Sequence, residues 1–260
     1  MTKLEKLKAD LRGLGELAVA FSGGADSSLL LRAAHDALGE RAIGITIRSP
    51  YMSSREIVEA VEFASVYGIR HEILELGVAE EIKDNPENRC YLCKKAVFSR
   101  LIERARELGF SRVADGTNRD DLGEHRPGLK AKEELGVLSP LINLTKAEIR
   151  ELSCELGLPT AEKPSYACLL TRLPHGREID PHELNLIEAA ENLLIASGYA
   201  NVRARCDRKN IKLQMPFSSM QSFLNDAKFK SIVRQLVRLG AAEVTLDLKG
   251  LREDVLYERG

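Results

Sequence analysis

The stretch Ser22-Gly23-Gly24-Ala25-Asp26-Ser27-Ser28 lies between an apolar run, Leu17 to Phe21, and a helix-like run, Leu29 to Leu38. A strand, a turn of small residues and a helix start, in that order, commit this part of the chain to an α/β arrangement. They also turn backbone N–H groups and the positive end of a helix towards one point. That point suits an anion, and the pattern reads as a pyrophosphate cradle. Gly23 and Gly24 allow torsions and a close approach that a side chain would block. Ser22, Ser27 and Ser28 add hydroxyl donors for phosphate oxygens. Asp26 is repelled by phosphates unless a divalent cation sits between them, so magnesium is expected there. An ordinary Gly-Gly turn with a serine cap is the structural alternative.

The turn contains no lysine, so it does not fit the nucleoside triphosphatase P-loop, which ends in Gly-Lys-Ser/Thr. The dinucleotide fingerprint fails as well, because the glycines are adjacent and no third follows. The stretch resembles the SGGxDS signature of the PP-loop ATP pyrophosphatases, which cleave ATP between its α and β phosphates.

Apolar runs Leu17 to Phe21, Ala42 to Ile47, His71 to Leu74 and Ser111 to Ala114 alternate with helical patterns near residues 26–38, 54–67 and 93–109. Such alternation predicts crossover units and a parallel sheet covered on both faces, with ligands beyond the carboxyl ends of the strands. Thr145-Lys146-Ala147-Glu148 is a capping box opening a helix that stops at Gly157. Glu162 to Asp180, rich in Pro, Gly, Ser and Arg, reads as a functional loop and hinge. Beyond it come a helix, Pro181 to Ala196, strands Asn201 to Arg205 and Ile211 to Met215, a helix Ser218 to Leu239, and a strand Ala242 to Leu248. The fold class expected is α/β: a parallel-sheet, Rossmann-like PP-loop domain (adenine nucleotide alpha hydrolase-like) over 1–162, a hinge and active-site loop over 163–180, and a smaller α/β domain over 181–260 for substrate and oligomerisation.

With 260 residues, 44% of them hydrophobic, the chain has enough apolar material for a core. Thirty-eight basic residues against thirty-nine acidic ones argue against a broad nucleic-acid-binding face. Met1 to Leu14 is charged and amphipathic, with no signal-like apolar core, and no run approaches membrane-spanning length, so a cytoplasmic protein is expected. Five cysteines, an odd number, point to thiol or metal chemistry in a reducing compartment rather than to disulfides.

Asp115-Gly116-Thr117-Asn118 follows the fourth strand, and its loop continues through Asp120, Asp121, His125, Arg126, Pro127 and Gly128. At that sheet edge Arg126 suits a phosphate, and Asp120 or Asp121 a metal or ribose; a solvated loop of turn-forming residues is the alternative. Arg48-Ser49-Pro50-Tyr51-Met52, after the second strand, either offers its backbone to adenine or is a plain turn. Cys90 and Cys93 have C-x-x-C spacing. With Cys168 they would suit a 4Fe-4S cluster with one open iron; the alternative is a pair of buried structural thiols. Lys163, Arg172 and Arg177 surround Cys168 in sequence and would favour its thiolate. Cys154 reads as a core residue, and Cys206 as a thiol without a partner. Arg203 and Arg205 point to one face of a strand, and with Glu191 either bind an anionic substrate or line a solvated face.

SGGADS, RCYLCK, DGTNRDDLGEHRPGLKA with its trailing ELGVLSPL, KPSYACLLTRLPHGREI and the VRAR strand, in this order over roughly residues 10–215, together resemble the LarE family of PP-loop sulfur-inserting enzymes. Members act in biosynthesis of the nickel-pincer nucleotide, converting pyridinium-3,5-biscarboxylic acid mononucleotide into its thiocarboxylate form. The resemblance implies that ATP adenylylates a substrate carboxylate with release of pyrophosphate, that sulfur attacks the activated carbonyl, and that AMP leaves. In one version of the family the cysteine matching Cys168 gives up its own sulfur and becomes dehydroalanine. In another, cysteines matching Cys90, Cys93 and Cys168 hold a 4Fe-4S cluster carrying an extra sulfide. All three are present, so the cluster version is expected, resupplied by sulfide or another sulfur donor. The resemblance further implies that Arg203 and Arg205 hold the substrate phosphate with Glu191 nearby, and that the protein forms trimer-based homo-oligomers. Pro216 to Asn225 departs from the acidic, apolar pattern of the family. Two other readings share the cradle: a PP-loop tRNA thiolase, and a non-catalytic AMP-binding or iron-sulfur sensor.

Overall fold

The computed structural model describes residues 1–123, 127–164 and 166–251. They form two compact units: Met1–Ile82 with Glu87–Tyr166, and Lys83–Pro86 with the chain from Ala167 onward.

The first unit is built on a parallel sheet of β1 (Leu17–Ala20), β2 (Ala42–Arg48), β3 (His71–Glu75) and β4 (Val113–Ala114), in the order β3-β2-β1-β4. Leu17 pairs with Ala42 and Ala18 with Val113, so β1 is central. Its residues are apolar on both faces because both faces are covered. Leu17 and Val19 join a buried cluster with α1 (Lys3–Leu14), α2 (Ala25–Leu38), α3 (Ser54–Val66) and α6 (Lys146–Glu155). Ala18 joins Ile43, Ile45 and Ile47 in a second cluster with Val97, Leu101 and Ala105 of α4 (Arg89–Glu107). Chain order reverses between β1 and β4, which makes the crevice beyond their carboxyl ends the topological switch point where ligands bind in such sheets.

Several elements differ from those the sequence predicts. Helix α4 begins at Arg89, so both Cys90 and Cys93 lie on it. The loop after β4 contains a further helix, α5 (Pro127–Glu134). Cys154 is exposed rather than in the core. Helix α6 buries Ile149, Leu152 and Ser153, and the next position turns about 100° away from that stripe. The capping box of α6 is present in both directions: Glu148 N donates to Thr145 Oγ1 at 3.2 Å, and Thr145 N to Glu148 Oε2 at 2.7 Å.

The second unit opens with α7 (Pro181–Ala196), capped by Asp180, whose Oδ1 accepts from His182 N at 2.8 Å. Its sheet has the order β5-β6-β7: β5 (Arg203–Asp207) and β6 (Asn210–Gln214) are antiparallel, and β6 and β7 (Glu243–Leu246) parallel. Arg208 and Lys209 form the two-residue hairpin turn with φ of +49° and +72°, the primed geometry that suits strand twist. The helix expected over 218–239 is two helices, α8 (Phe217–Asn225) and α9 (Phe229–Arg238). Asp226 breaks it, because its Oδ1 takes Lys228 N at 2.7 Å and its Oδ2 the Tyr199 hydroxyl at 2.8 Å, a local alternative to the helical ladder. No helix among the described residues is long and apolar enough to cross a membrane.

Candidate active site

The cradle starts where β1 ends. Phe21 N donates to Ile45 O at 2.9 Å, and Phe21 O accepts from Thr46 Oγ1 at 2.7 Å. Thr46 Oγ1 also meets His71 Nε2 at 2.8 Å. The threonine spends its one proton on Phe21, so the pattern assigns the His71 proton to Nε2. Burial lowers the pKa of His71 and keeps the ring neutral.

Gly23 has φ +69°, where L side chains are strained, and an added Cβ would stand 3.2 Å from Ala60 Cβ and 3.3 Å from Glu56 O. Gly24 opens α2 without a side-chain cap, so no side chain competes with an anion for its first N–H groups. Ser27 Oγ donates to Gly24 O at 3.2 Å and lies 3.1 Å from Ser22 Oγ, which shapes the turn. Ser28 Oγ, and Ser49 Oγ at the end of β2, are buried with no hydrogen-bond partner among the described residues.

The turn has no lysine of its own, yet two reach it from elsewhere. Lys146 Nζ, at the start of α6, meets both Asp26 oxygens at 2.7 Å. Lys163 Nζ donates to Gly23 O at 2.8 Å and pairs with Glu59. Sequence reasoning missed both, since neither lysine stands in a phosphate-binding motif. Asp26 offers carboxylate oxygens beside an uncapped helix start, a donor set that fits magnesium bridging to phosphate.

Gly116, after β4, packs against the same helix start: a Cβ there would lie 2.9 Å from Ser27 N and 3.1 Å from Asp26 C. Asp115 before it is buried and accepts from Lys132 Nζ of α5, from Thr117 Oγ1 at 2.7 Å and from Ser139 Oγ at 2.9 Å. Burial opposes ionisation of Asp115, but the Lys132 charge and these bonds outweigh it and its pKa is lowered. Burial lowers the pKa of Lys132 too, against the pull of Asp115. Asn118 Oδ1 accepts from Asp120 N at 2.9 Å, Asp121 Oδ2 from Asn118 N at 3.0 Å, and Asp120 Oδ2 from Lys146 N at 2.8 Å. Asp120 and Asp121 thus build the loop and the start of α6. Arg48 is exposed and pairs with Glu75 at 2.7 Å. Arg126 and His125 lie outside the described residues.

Cys90 is exposed, and Cys93, half-buried one turn on, donates to the Tyr51 hydroxyl at 3.4 Å. Both belong to the first unit, and Cys168 to the second. Among the described residues no three His, Cys, Asp or Glu side chains are gathered as a metal site. Thiolate chemistry at Cys90, Cys93 and Cys168 matches an iron-sulfur donor set. The three cations near Cys168 in sequence all have carboxylate partners: Lys163 has Glu59, Arg177 has Glu183 and Arg172 has Glu191. Cys206 is buried, and burial raises its thiol to about 11.

In the second unit Arg172 and Glu191 form a buried fork, Nε to Oε1 at 2.8 Å and Nη2 to Oε2 at 3.1 Å. Arg172 Nη1 also donates to Ala167 O at 3.0 Å and to Thr171 Oγ1 at 2.7 Å. Glu191 Oε1 accepts Ala204 N at 3.0 Å, the peptide between Arg203 and Arg205. Arg205 donates to Gln214 Oε1 at 2.6 Å and to Thr171 O at 3.2 Å.

No protein-family model matches the chain. An uncharacterized protein of Synechocystis sp. is 37% identical over 259 residues, covering 98% of this chain and 97% of that protein. The pyridinium-3,5-bisthiocarboxylic acid mononucleotide synthase of Lactiplantibacillus plantarum is 34% identical over 258 residues, 96% of this chain and 92% of the synthase. The chain belongs to the LarE family. A tRNA-specific 2-thiouridylase of Caldanaerobacter subterraneus is 30% identical over 190 residues, 56% of this chain and 52% of that enzyme. The LarE sheet, with its cradle at the tip of β1, is a PP-loop fold. The LarE-type motifs divide between the units: SGGADS, RCYLCK and DGTN belong to the first, and Cys168, Glu191, Arg203 and Arg205 to the second.

Proposed function

We propose that this LarE family member is an ATP-dependent sulfurtransferase that inserts sulfur into a carboxylate of pyridinium-3,5-biscarboxylic acid mononucleotide. The observation that carries the reading is the uncapped start of α2 beneath Gly23 and Gly24, flanked by Lys146 and Lys163, in a chain similar over 96% of its length to a synthase named for the bisthiocarboxylic mononucleotide. The thiouridylase shares only 56% of the chain, which favours the mononucleotide over tRNA.

The first N–H groups of α2, the hydroxyls of Ser22, Ser27 and Ser28, and the two lysine ammoniums bind and orient the β and γ phosphates. Asn118 and Gly116 border the nucleotide, as do Arg48 and Ser49 and, outside the described residues, Arg126. A substrate carboxylate oxygen then attacks the α phosphorus, the bond to the bridging oxygen breaks, and pyrophosphate leaves with its negative charge held at the cradle. The resulting acyl-adenylate has AMP as a good leaving group. Sulfur attacks the acyl carbon, AMP departs, and one carboxylate oxygen has been replaced by sulfur. Magnesium, when bound at Asp26, offsets phosphate charge. Lys146 holds both Asp26 oxygens ready until then. A 4Fe-4S cluster on Cys90, Cys93 and Cys168, when bound, supplies an iron site for sulfide. Arg203 and Arg205 hold the substrate phosphate by charge-assisted bonds. The protein works as a trimer-based homo-oligomer in the cytoplasm.

Pyrophosphate release is measured with the biscarboxylic mononucleotide and, separately, with unmodified tRNA. Release with the mononucleotide alone, and a product with sulfur in place of oxygen, is the expected result; release that requires tRNA refutes the reading. Asp26→Asn is expected to abolish release. Anaerobic reconstitution is expected to give about four irons per chain, lost in Cys168→Ala. Iron-free protein that still makes product and leaves dehydroalanine at 168 would reverse the assignment of the sulfur source.

A further inference from the structure

Arg172 and Glu191 are almost wholly enclosed, with side chains 2% and 8% exposed. A buried ion pair is weak evidence for stability, because losing water costs each charge about as much as pairing returns. This pair holds more than itself. One face of the guanidinium is spent on the carboxylate, and Nη1 is spent on Ala167 O and Thr171 Oγ1. Thr171 in turn binds Cys168 O twice, through its hydroxyl at 2.9 Å and its N–H at 3.1 Å. On the other side the same Glu191 oxygen that takes Arg172 Nε takes Ala204 N. One carboxylate therefore fastens the Cys168 turn to the strand position between Arg203 and Arg205. Arg205 adds a second tie, through Thr171 O.

We propose that Arg172 and Glu191 are positioning residues that fix Cys168 relative to the two strand arginines, so that Glu191 serves the sulfur step without touching the substrate. This rests on the functional reading above, in which Cys168 is the sulfur locus and the arginines hold the phosphate. Sulfur attack needs its partners in one geometry, and a displacement of about 1 Å can cost a hundredfold in rate. Adenylylation uses neither member of the pair. A lysine at 172 keeps the charge but carries its three donors on one nitrogen, where the guanidinium spreads its donors over three, so it cannot reach both Glu191 oxygens, Ala167 O and Thr171 Oγ1 together.

The test compares wild type with Arg172→Lys and with the apolar pair Arg172→Met/Glu191→Leu. Thiocarboxylate formation in Arg172→Lys is expected to fall ~10- to 100-fold. In a single turnover the rate of pyrophosphate release, and the mononucleotide concentration that half-saturates it, should stay within about twofold, since adenylylation precedes the sulfur step and no substrate contact is removed. The apolar pair should show the same loss in kcat while still folding cooperatively, at a thermal midpoint lowered because buried Ala204 N–H loses its acceptor. A raised KM with unchanged kcat would make the pair a substrate contact, and full sulfur insertion by a folded apolar pair would make it purely structural; either overturns the proposal. If the apolar pair does not fold, Arg172→Lys decides alone. Carboxymethylation of Cys168, followed by peptide mass in nucleotide-free protein, tells the positioning role apart from the proposed reaction. A changed alkylation rate in Arg172→Lys with a wild type that never releases pyrophosphate leaves the positioning role standing and removes the functional reading. Unchanged alkylation together with unchanged turnover removes the positioning role.

Discussion

Replacing Gly116 by alanine tests whether the loop after β4 and the start of α2 form one rigid nucleotide platform. The added methyl would stand 2.9 Å from Ser27 N, 3.0 Å from Asp26 Cβ and 3.1 Å from Asp26 C. Two of these three atoms are backbone at a helix start, which cannot swing aside as a flexible side chain would. Overpacking of this kind costs about 1–3 kcal/mol. Near the middle of that range the folding equilibrium shifts by roughly thirtyfold. Strain relieved by lifting α2 would also move the phosphate-binding N–H groups, so affinity for ATP is expected to drop by about tenfold, or ~1.4 kcal/mol. Urea unfolding reads the first quantity, with a constant slope showing that the denatured state is unaltered, and titration calorimetry reads the second. Gly13 is the control: it is exposed near the end of α1, nothing lies within 4 Å of its would-be Cβ, and alanine there should stabilise by about 0.5–1 kcal/mol. A Gly116→Ala protein within about 0.5 kcal/mol of wild type, with undiminished ATP affinity, refutes the close approach.

Burial holds the pKa of His71 below the ordinary 6.5, so the unfolded chain takes up the proton first as pH falls. Stability should be complete above 6.5 and decline as pH drops through the folded-state value; urea midpoints from about pH 7 to about pH 5 should show a slope that flattens in His71→Gln. Lys132→Met leaves the Asp115 carboxylate buried without its cation and should cost about 3–5 kcal/mol, whereas adding Asp115→Asn should recover much of that loss in thermal unfolding. Iodoacetamide at neutral pH should label exposed Cys154 and spare Cys206, whose thiol sits near 11; labelling of Cys206 in native protein would contradict its burial.

Much of the first unit was legible because its signals are local. Leu17 to Phe21 is apolar at consecutive positions, Gly23 and Gly24 mark the turn, and the Thr145 box announces α6, so strand, cradle and helix each follow from neighbours in sequence. The lysines of the cradle were not legible. Lys146 meets Asp26 across 120 residues and Lys163 meets Gly23 across 140, and nothing around either announces the distant partner. Cys154 was misread because it stands inside a capped helix, where burial depends on which stripe faces the sheet rather than on being interior to the element. The break at Asp226 depends on a hydroxyl from Tyr199, a residue before β5. The Arg172–Glu191 fork was equally silent: an arginine in a loop and a glutamate on a helix look like solvated charges until packing encloses them.

The short run Lys83–Pro86 belongs with residues some ninety positions later. Ile179 N donates to Lys83 O at 2.8 Å, Gly176 N to Asn85 O at 3.0 Å, and Asn85 Nδ2 to Pro174 O at 2.6 Å, while Asn85 itself sits at φ +49°. On a ribosome adding about 5–20 residues per second, this tetrapeptide would wait several seconds or more for its mates, in a torsion it has little reason to adopt alone. No single scission can then liberate two intact halves: a cut after Tyr166 strands these four residues on the wrong fragment, and a carboxyl-terminal piece expressed by itself would lack part of its own lining.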